Sequence, residues 1–498
     1  MDETVGKRRS AKTVSLQVTL AFLTNFSNVA PGMSIGFSSV TIPALKDFDS
    51  QQISWFASIA SLATPFGCLL AGPIADKYGR KRAIAVVNVT AFLGWATVGA
   101  AFYSGNYLYP VLLLGRVLTG LSTGLCGCPA AIYMAEVATS DLRSVFTTWV
   151  SLFYAVGIFT VYLLGLFLKD DWGLIALIAA IFPLISFLFL TFWVPESPSW
   201  LISKNRVEEA KRSVCKLHSS KSYTEDVHTE IESLIKVAGT KVTRAQTKTP
   251  TQQFVKKIKL LARKSFLRPF ALVLVYFAVQ QFSGVFVIMF YAIDIVKAAQ
   301  VTIDPYVAIV IIATVRLVSM LMLSYFSKKF GVRPLSLISG SGMTVCMVVL
   351  GSYILLVEQG RIAGSLQQAL GIMPLILLNA YFFVSTMGFY PLPFAITAEV
   401  FPRNLRGTAA GLSVACNYVF NFITVKLYPT MLKSFGSHGV FFFYGAVALL
   451  GTVFVWFFLP ETKGKTLEEI QEYFVDRKPM VRETTDSAVN DTKANVEP

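Results

Sequence analysis
The chain calls for an all-α membrane protein of twelve spanning helices in two six-helix bundles, with a short helical cluster between them at one membrane face. Hydropathy points there first. Of 498 residues, 54% are hydrophobic and 15% charged, and the mean hydropathy is +0.59. Ordinary soluble domains are about 45–50% apolar and about 25% charged. A succession of apolar runs of about 20 residues, the length that crosses a bilayer, comes second. The third observation is an internal echo that divides those runs six from six.

The runs lie near 15–38, 52–75, 83–103, 107–135, 145–168 and 174–194, then near 266–297, 305–327, 334–357, 370–398, 408–432 and 437–459. The first follows the charged start MDETVGKRRSAK and has no small-residue cleavage site after it. It is too long for a signal-peptide core and reads as a spanning helix. Lys7, Arg8, Arg9 and Lys12 precede it, Lys77, Arg80, Lys81 and Arg82 stand between runs 2 and 3, and Lys328, Lys329 and Arg333 between runs 8 and 9. Loops of the other parity, such as YSGN at 103–106, carry few cations. This positive-inside bias places both termini in the cytoplasm. The net charge of +15 is therefore a topology signal and not a nucleic-acid surface.

The longest polar interval, 195–265, separates the bundles 15–194 and 266–460, leaving tails at 1–14 and 461–498. Within it, SKNRVEEAKRSVCKLHSS opens on a serine cap at Ser203, and DVHTEIESLIKVAG and QQFVKKIKLLARK read as two more short helices. Their charges read as a solvated cytoplasmic face.

The halves then repeat each other. DKYGRKR (76–82) is echoed by KKFGVRP (328–334), EVATSDLR by EVFPRNLR, and PESPSW (195–200) by PETKGK (460–465). The offsets are 252 from Gly79 to Gly331, 263 from Glu136 to Glu399 and 265 from Pro195 to Pro460. Three echoes in one order indicate a duplicated six-helix unit, and parallel repeats place a substrate site at the midplane between two rocking bundles. Arg80, Arg116, Glu136, Arg143, Glu196, Arg333, Glu399 and Arg406 form the expected cytoplasmic gating network, pairing across the seam when that side is shut. A buried pair is worth little net but is costly to break, which suits a latch.

Other signals point away from chemistry. Cys126 and Cys128 form a C-x-C whose members point to different helix faces, so they read as packing residues and no metal site is expected. The acceptor motifs at Asn25 and Asn88 lie inside runs, and that at Asn490 in the tail. No nucleotide loop or nucleophile constellation supports an enzyme, and no cofactor is implied.

The stretch QQFSGVFVIMFYA, Gln280 to Ala292, puts two adjacent amides in the middle of an apolar run. An unpaired buried amide costs roughly 1–3 kcal/mol, so these amides must face protein, water or a ligand.

DKYGRKR, GRVLTGLSTG, PESPSWL, QQFSG, EVFPRNLRG and PETKGKTLEEI together resemble the signatures of the sugar porters of the major facilitator superfamily. GFSSVTIPAL and YPLPFAITAEVFP are similar to the arthropod trehalose-transporter-like branch. The resemblance covers nearly the whole chain. It implies the major facilitator fold and alternating-access transport of a sugar or polyol, in a monomeric unit embedded in lipid, in the plasma membrane. It assigns sugar contacts to Gln280, Gln281, Phe290, Tyr291, Asn417 and Asn421, and a bending gate to Pro391 and Pro393.

Departures from the pattern are as informative. Phe286, Ser151 and Phe394 are expected at the substrate site too, standing where the family carries a third amide, a glutamine in many members and a tryptophan, while Thr386 stands where glutamate is frequent. Arg316 replaces an asparagine or glutamine facing the pathway. An arginine at that depth costs at least about 2.5–3.5 kcal/mol against lipid, so it is expected to touch the substrate or act as a structural post, and it admits an anionic or conjugated substrate. Run 1 has no acidic residue between Glu3 and Asp47, and Ser38 stands near the place of a proton-carrying aspartate. Uniport is expected. The alternatives are a proton-coupled symporter, a carrier of a non-sugar solute and a non-transporting sugar receptor.

Overall fold
The computed structural model describes residues 11–217, 264–362, 364–401 and 405–463, with isolated positions in 231–235 and 465–474. All regular structure among the described residues is helical. The predicted linker helices after residue 217 lie almost wholly outside them.

In the N-terminal half the chain forms α1 (Ala11–Asn25), α2 (Val29–Thr41), α3 (Ser50–Tyr78), α4 (Arg80–Ala101), α5 (Leu108–Cys126), α6 (Pro129–Val137), α7 (Ser140–Leu168) and α8 (Trp172–Trp193). Two short helices follow, α9 (Pro198–Ser203) and α10 (Val207–Leu217). The C-terminal half contains α11 (Lys264–Phe282), α12 (Val285–Phe290), α13 (Ala292–Ala298), α14 (Pro305–Phe330), α15 (Val332–Glu358) and α16 (Ser365–Leu370). It ends with α17 (Met373–Met387), α18 (Leu392–Val400) and α19 (Arg406–Phe458).

Nine helical stretches among the described residues are long and apolar enough to cross a membrane. The longest, α19, folds back at Gly436, whose φ of 69° and ψ of 175° suit glycine alone. Runs 1 and 7 are each divided into shorter helices, at Phe26–Asn28 and at Ser283–Gly284. Run 10 breaks between α17 and α18, with Gly388 at the end of α17, Pro391 capping α18 and Pro393 in its first turn. Neither proline removes a bond from a continuous ladder, because the ladder has already ended.

Capping side chains start several helices. Asp49 and Gln52 make a reciprocal capping box on α3, Asp171 caps α8 and Asp304 caps α14. In the N-terminal half α3 lies against α5, where Gly67, Gly120 and Gly124 leave no room for a Cβ. Such small residues let membrane helices approach closely. The halves meet chiefly along α3 with α19 and α7 with α14. Phe66, Leu69, Leu93, Val345 and Leu450 are exposed, as expected for the lipid-facing side of spanning helices.

Hydrogen bonds between the halves, among the described residues, sit at the centre or at the end remote from the basic loops. Tyr162 donates to Met289 O (2.7 Å), the amide of Ile293 to Ser39 Oγ (3.0 Å) and Ser54 Oγ to Lys426 O (2.8 Å). Lys169 pairs with Asp304 at 3.4 Å near the outermost point. The described contacts thus seal the end opposite the basic loops.

Candidate functional site
The centre is organised by the break between α11 and α12. Gly284 adopts φ 90° and ψ 0°, and a Cβ there would meet the Tyr444 ring at 2.5 Å. The break frees the carbonyl of Ser283, which accepts from Tyr381 Oη at 2.7 Å. Gln280 and Gln281, just before it, are fully buried.

Gln281 lies at the middle of a chain of hydrogen bonds that joins α11 to α19 and α3. Its Nε2 donates to Asn417 Oδ1 (2.7 Å), and its Oε1 accepts from Asn421 Nδ2 (2.9 Å). Asn421 Oδ1 in turn accepts from Ser61 Oγ at 2.6 Å, across the seam. Gln280 Nε2 donates to the carbonyls of Phe389 and Tyr390, in the break before α18. Two amide atoms of the cluster remain buried without a hydrogen-bond partner among the described residues, the acceptor Gln280 Oε1 and the donor Asn417 Nδ2.

Aromatic side chains surround the amides. Phe286 packs on Tyr390 with ring centres 5.6 Å apart, and Phe394 meets Phe277 edge-on at 5.0 Å. Phe290 borders a small cavity with Ser34, Ser61, Thr64, Tyr418 and Asn421, about 10 Å³ and so room for one water. Tyr291 is already engaged, its ring tilted against Tyr428 with centres 4.6 Å apart and its hydroxyl donating to Val425 O at 3.4 Å. Ser151, on α7, is exposed.

Arg316, on α14, is 2% exposed. Its Nη1 points at Met289 Sδ (2.6 Å) and its guanidinium lies 4.6 Å from the centre of the Tyr390 ring. A thioether is a weak acceptor, and Nε and Nη2 have no hydrogen-bond partner among the described residues. Arg316 is therefore a buried cation beside the amide cluster with donors still available.

Arg116 requires a correction. The sequence reading put it in the gating network at the basic end, but it is buried mid-bundle on α5. Nη1 donates to Ser34 O (2.8 Å) and Oγ (3.1 Å), Nη2 to Ser38 Oγ (2.7 Å) and Nε to Phe56 O (3.3 Å). It ties α2 and α3 to α5. Ser34 and Ser38, four residues apart on one helix face, were the available signal.

At the basic end the described pairs lie within each half. Arg80 grips Glu136 through Nε (3.0 and 3.1 Å) and Nη2 (2.8 Å), and Ser197 Oγ donates to the same carboxylate. Glu196 Oε1 accepts the amides of Arg80 (2.9 Å), Lys81 (3.0 Å) and Ser197 (2.9 Å). Glu461 repeats this device, with Oε1 accepting from Val332 and Lys463 and Oε2 from Arg333. Each carboxylate sits at a helix N-terminus, where free amides and the helix dipole favour negative charge. A Cβ on Gly79 would strike Glu196, and one on Gly331 would strike Glu461. Glu461, absent from the expected network, could have been found from the 265-residue offset. Arg333 Nη2 donates to Trp456 O, and Glu399 Oε2 is buried without a partner. The side chains of Arg143 and Arg406 lie outside the described residues.

Comparison with known proteins agrees with the motif resemblance. The family described as "Sugar (and other) transporter" matches residues 10–474. The facilitated trehalose transporter Tret1 of Drosophila grimshawi is 28% identical over 468 residues, 93% of this chain and 48% of that protein. Tret1 of Culex quinquefasciatus is 27% identical over 474 residues, covering 94% and 87%. The chain spans about half the length of several such relatives. The inward-open xylose transporter XylE from E. coli superposes with a TM-score of 0.75 at 20% identity, covering 92% of this chain and 99% of that one. Its complex with 6-bromo-6-deoxy-D-glucose gives 0.70 at 21% identity, covering 93% and 100%. These likenesses establish the major facilitator fold.

Proposed function
The chain belongs to the sugar (and other) transporter family, and on that premise we propose that it carries a sugar, a hexose or trehalose, across a membrane by facilitated alternating access. The observation that carries this reading is the amide cluster with one acceptor and one donor unengaged, Gln280 Oε1 and Asn417 Nδ2. A sugar hydroxyl both donates and accepts, as does a primary amide, so paired contacts replace the water that the sugar leaves behind. Gln281 holds Asn417 and Asn421 in place for that exchange. Phe286, Phe290, Phe394 and Tyr390 provide the apolar surface that the ring C–H groups require. The similarity to facilitated trehalose transporters supports the same substrate class.

The partners of Arg116 support uniport. They are serine hydroxyls and carbonyls, groups that do not exchange a proton near neutral pH. We place the basic end in the cytoplasm and the protein in the plasma membrane, acting as a monomer. Rocking that opens the remote end would bring the basic ends together. Arg80, Glu136, Arg143, Arg333, Glu399 and Arg406 then pair across the seam, with Pro391 and Pro393 flanking the bend.

Arg316 favours a second reading, in which the sugar carries an anionic substituent that meets the free guanidinium donors. Uptake of labelled glucose, trehalose, inositol and an organic anion by purified protein in liposomes, with and without a pH gradient, separates these readings. Sugar counterflow independent of the gradient is expected. Its absence overturns sugar transport, and uptake that follows an imposed proton gradient overturns uniport. Gln281→Ala and Asn417→Ala should abolish uptake with surface expression kept, and Glu399→Ala should change gating with binding kept.

A further inference from the structure
Outside the path between the halves, at the basic end of the N-terminal bundle, α4, the end of α8 and the pair α9–α10 enclose a cavity of about 500 Å³. All of its lining residues fall between Lys81 and Lys216, so it belongs to one bundle alone. Its walls carry the cations Lys81, Arg82, Arg206, Arg212 and Lys216 against two carboxylates, Glu196 and Glu209.

Both carboxylates are engaged. Glu209 is held by Arg206 at 2.5 and 2.7 Å, and Glu196 Oε1 takes the three backbone amides at the start of α4 and α9. Lys81 Nζ donates to the carbonyl of Thr191 (3.0 Å) and is attracted by the nearby Glu196 carboxylate. Arg82, Arg212 and Lys216 have no hydrogen bond or ion pair among the described residues. Five cations therefore face two carboxylates on one concave surface, and among the described residues Arg82, Arg212 and Lys216 have no carboxylate within ion-pair distance. The surface is built: Trp200 Nε1 donates to Asp76 O (3.0 Å) and Ser213 Oγ to Glu196 O (2.5 Å), fastening α9 and α10 beneath the bundle.

The cavity opens beside Phe192 and Trp193, which are 72% and 62% exposed at the last turn of α8. Exposed aromatic rings at the end of a spanning helix mark the membrane–water boundary. From there Leu188, Leu184 and Ile181 are exposed along the same helix. At 1.5 Å per residue this apolar track runs roughly 16 Å into the bilayer from Phe192, about the depth of one leaflet's hydrocarbon. A soluble anion has no use for such a track; an acyl chain does.

We propose that this cavity binds the phosphate headgroup of an anionic phospholipid from the leaflet at the basic end, through Lys81, Arg82, Arg212 and Lys216. Phosphate oxygens accept from guanidinium and ammonium together, and basic pockets at spanning-helix ends suit such headgroups. The bound lipid cross-links α4 and α8 to α10.

The test uses the full-length protein in phosphatidylcholine nanodiscs, with or without added phosphatidylinositol phosphate, reading thermal unfolding and lipid retained in native mass spectrometry. Anionic lipid should raise the midpoint and co-purify. Each surface cation is worth about fivefold in lipid binding, so R82Q/R212Q/K216Q should weaken retention on the order of a hundredfold and lose the midpoint shift. K463Q/K465Q, on the other half, should behave as wild type. If the triple variant fails to fold in phosphatidylcholine alone, K216Q by itself reads the fivefold step. Retention unchanged in these variants overturns the proposal. So does a midpoint shift that soluble inositol bisphosphate reproduces in full while the lipid adds nothing, because the ligand is then a free phosphate ester.

Discussion
Two buried arginines, one in each bundle, show how differently the same group is used. Arg116 is 0% exposed and Arg316 is 2% exposed. All three nitrogens of Arg116 have oxygen partners, and Phe56 lies 5.2 Å from its guanidinium. Arg316 has a sulfur and an aromatic face, and two of its nitrogens have no hydrogen-bond partner among the described residues. Burial is equal; satisfaction is not. A fully bonded guanidinium is a post that joins three helices. One left with free donors next to an amide cluster is what the proposed anionic substituent would meet, since an unmet buried donor in a native structure calls for an explanation.

The largest expected effect breaks this contrast most directly. Arg116→Gln removes charge-assisted bonds worth about 1.5–3 kcal/mol each. It should lower the thermal unfolding midpoint sharply and reduce folded yield in detergent. Arg316→Gln should leave the midpoint close to wild type and change substrate preference in liposome uptake. Equal losses of folded protein from the two variants would erase the distinction.

Next in size is Gln281→Leu, which leaves Asn417 Oδ1 and Asn421 Nδ2 without their partner. Uptake should fall by at least about tenfold, the equivalent of about 1.4 kcal/mol, with protein still inserted. An unchanged rate would make the amides interhelical glue. The N-terminal and C-terminal carboxylate caps should then be equivalent. Glu196→Gln and Glu461→Gln should each cost about 0.5–2 kcal/mol in thermal unfolding, and a large inequality would show that the repeat has diverged there.

The smallest effect is at the sealed end. Asp304 is 42% exposed and Lys169 53%, so Asp304→Asn should change stability by at most about 0.2–1 kcal/mol. Desolvation pushes the Asp304 carboxyl up, but the Tyr306 amide and Lys169 outweigh it and hold the group below its ordinary value. The contact is therefore fully present above the ordinary carboxylate range and is lost as pH falls through the lowered value. Uptake against external pH should show no step near neutrality from this pair.

Much of this was legible in the residues. Hydropathy and the three offsets led to two halves, and QQFSG placed Gln280 and Gln281 at the centre. The reversal at Gly436 falls where the runs 408–432 and 437–459 part. Gly284 was harder to read, because it breaks a run that composition shows as continuous. Arg116 was misplaced because it was grouped with the charged motifs of the basic end, although no other charge lies between Arg82 and Glu136. Its serine partners are spaced like any helical face. Ser61 and Tyr390 carried no signal, since a serine or tyrosine in a spanning helix is ordinary.

The amino-acid order by itself determined the long apolar helices of a membrane protein, because crossing a bilayer is a matter of local length and apolarity. Only the tertiary structure decided which polar groups are satisfied. Ser61 and Asn421 are 360 residues apart when they bond, and Arg316 lies 27 residues from the sulfur it meets. Whether a buried donor is a post or a binding group depends on those distant partners, and no local pattern encodes them.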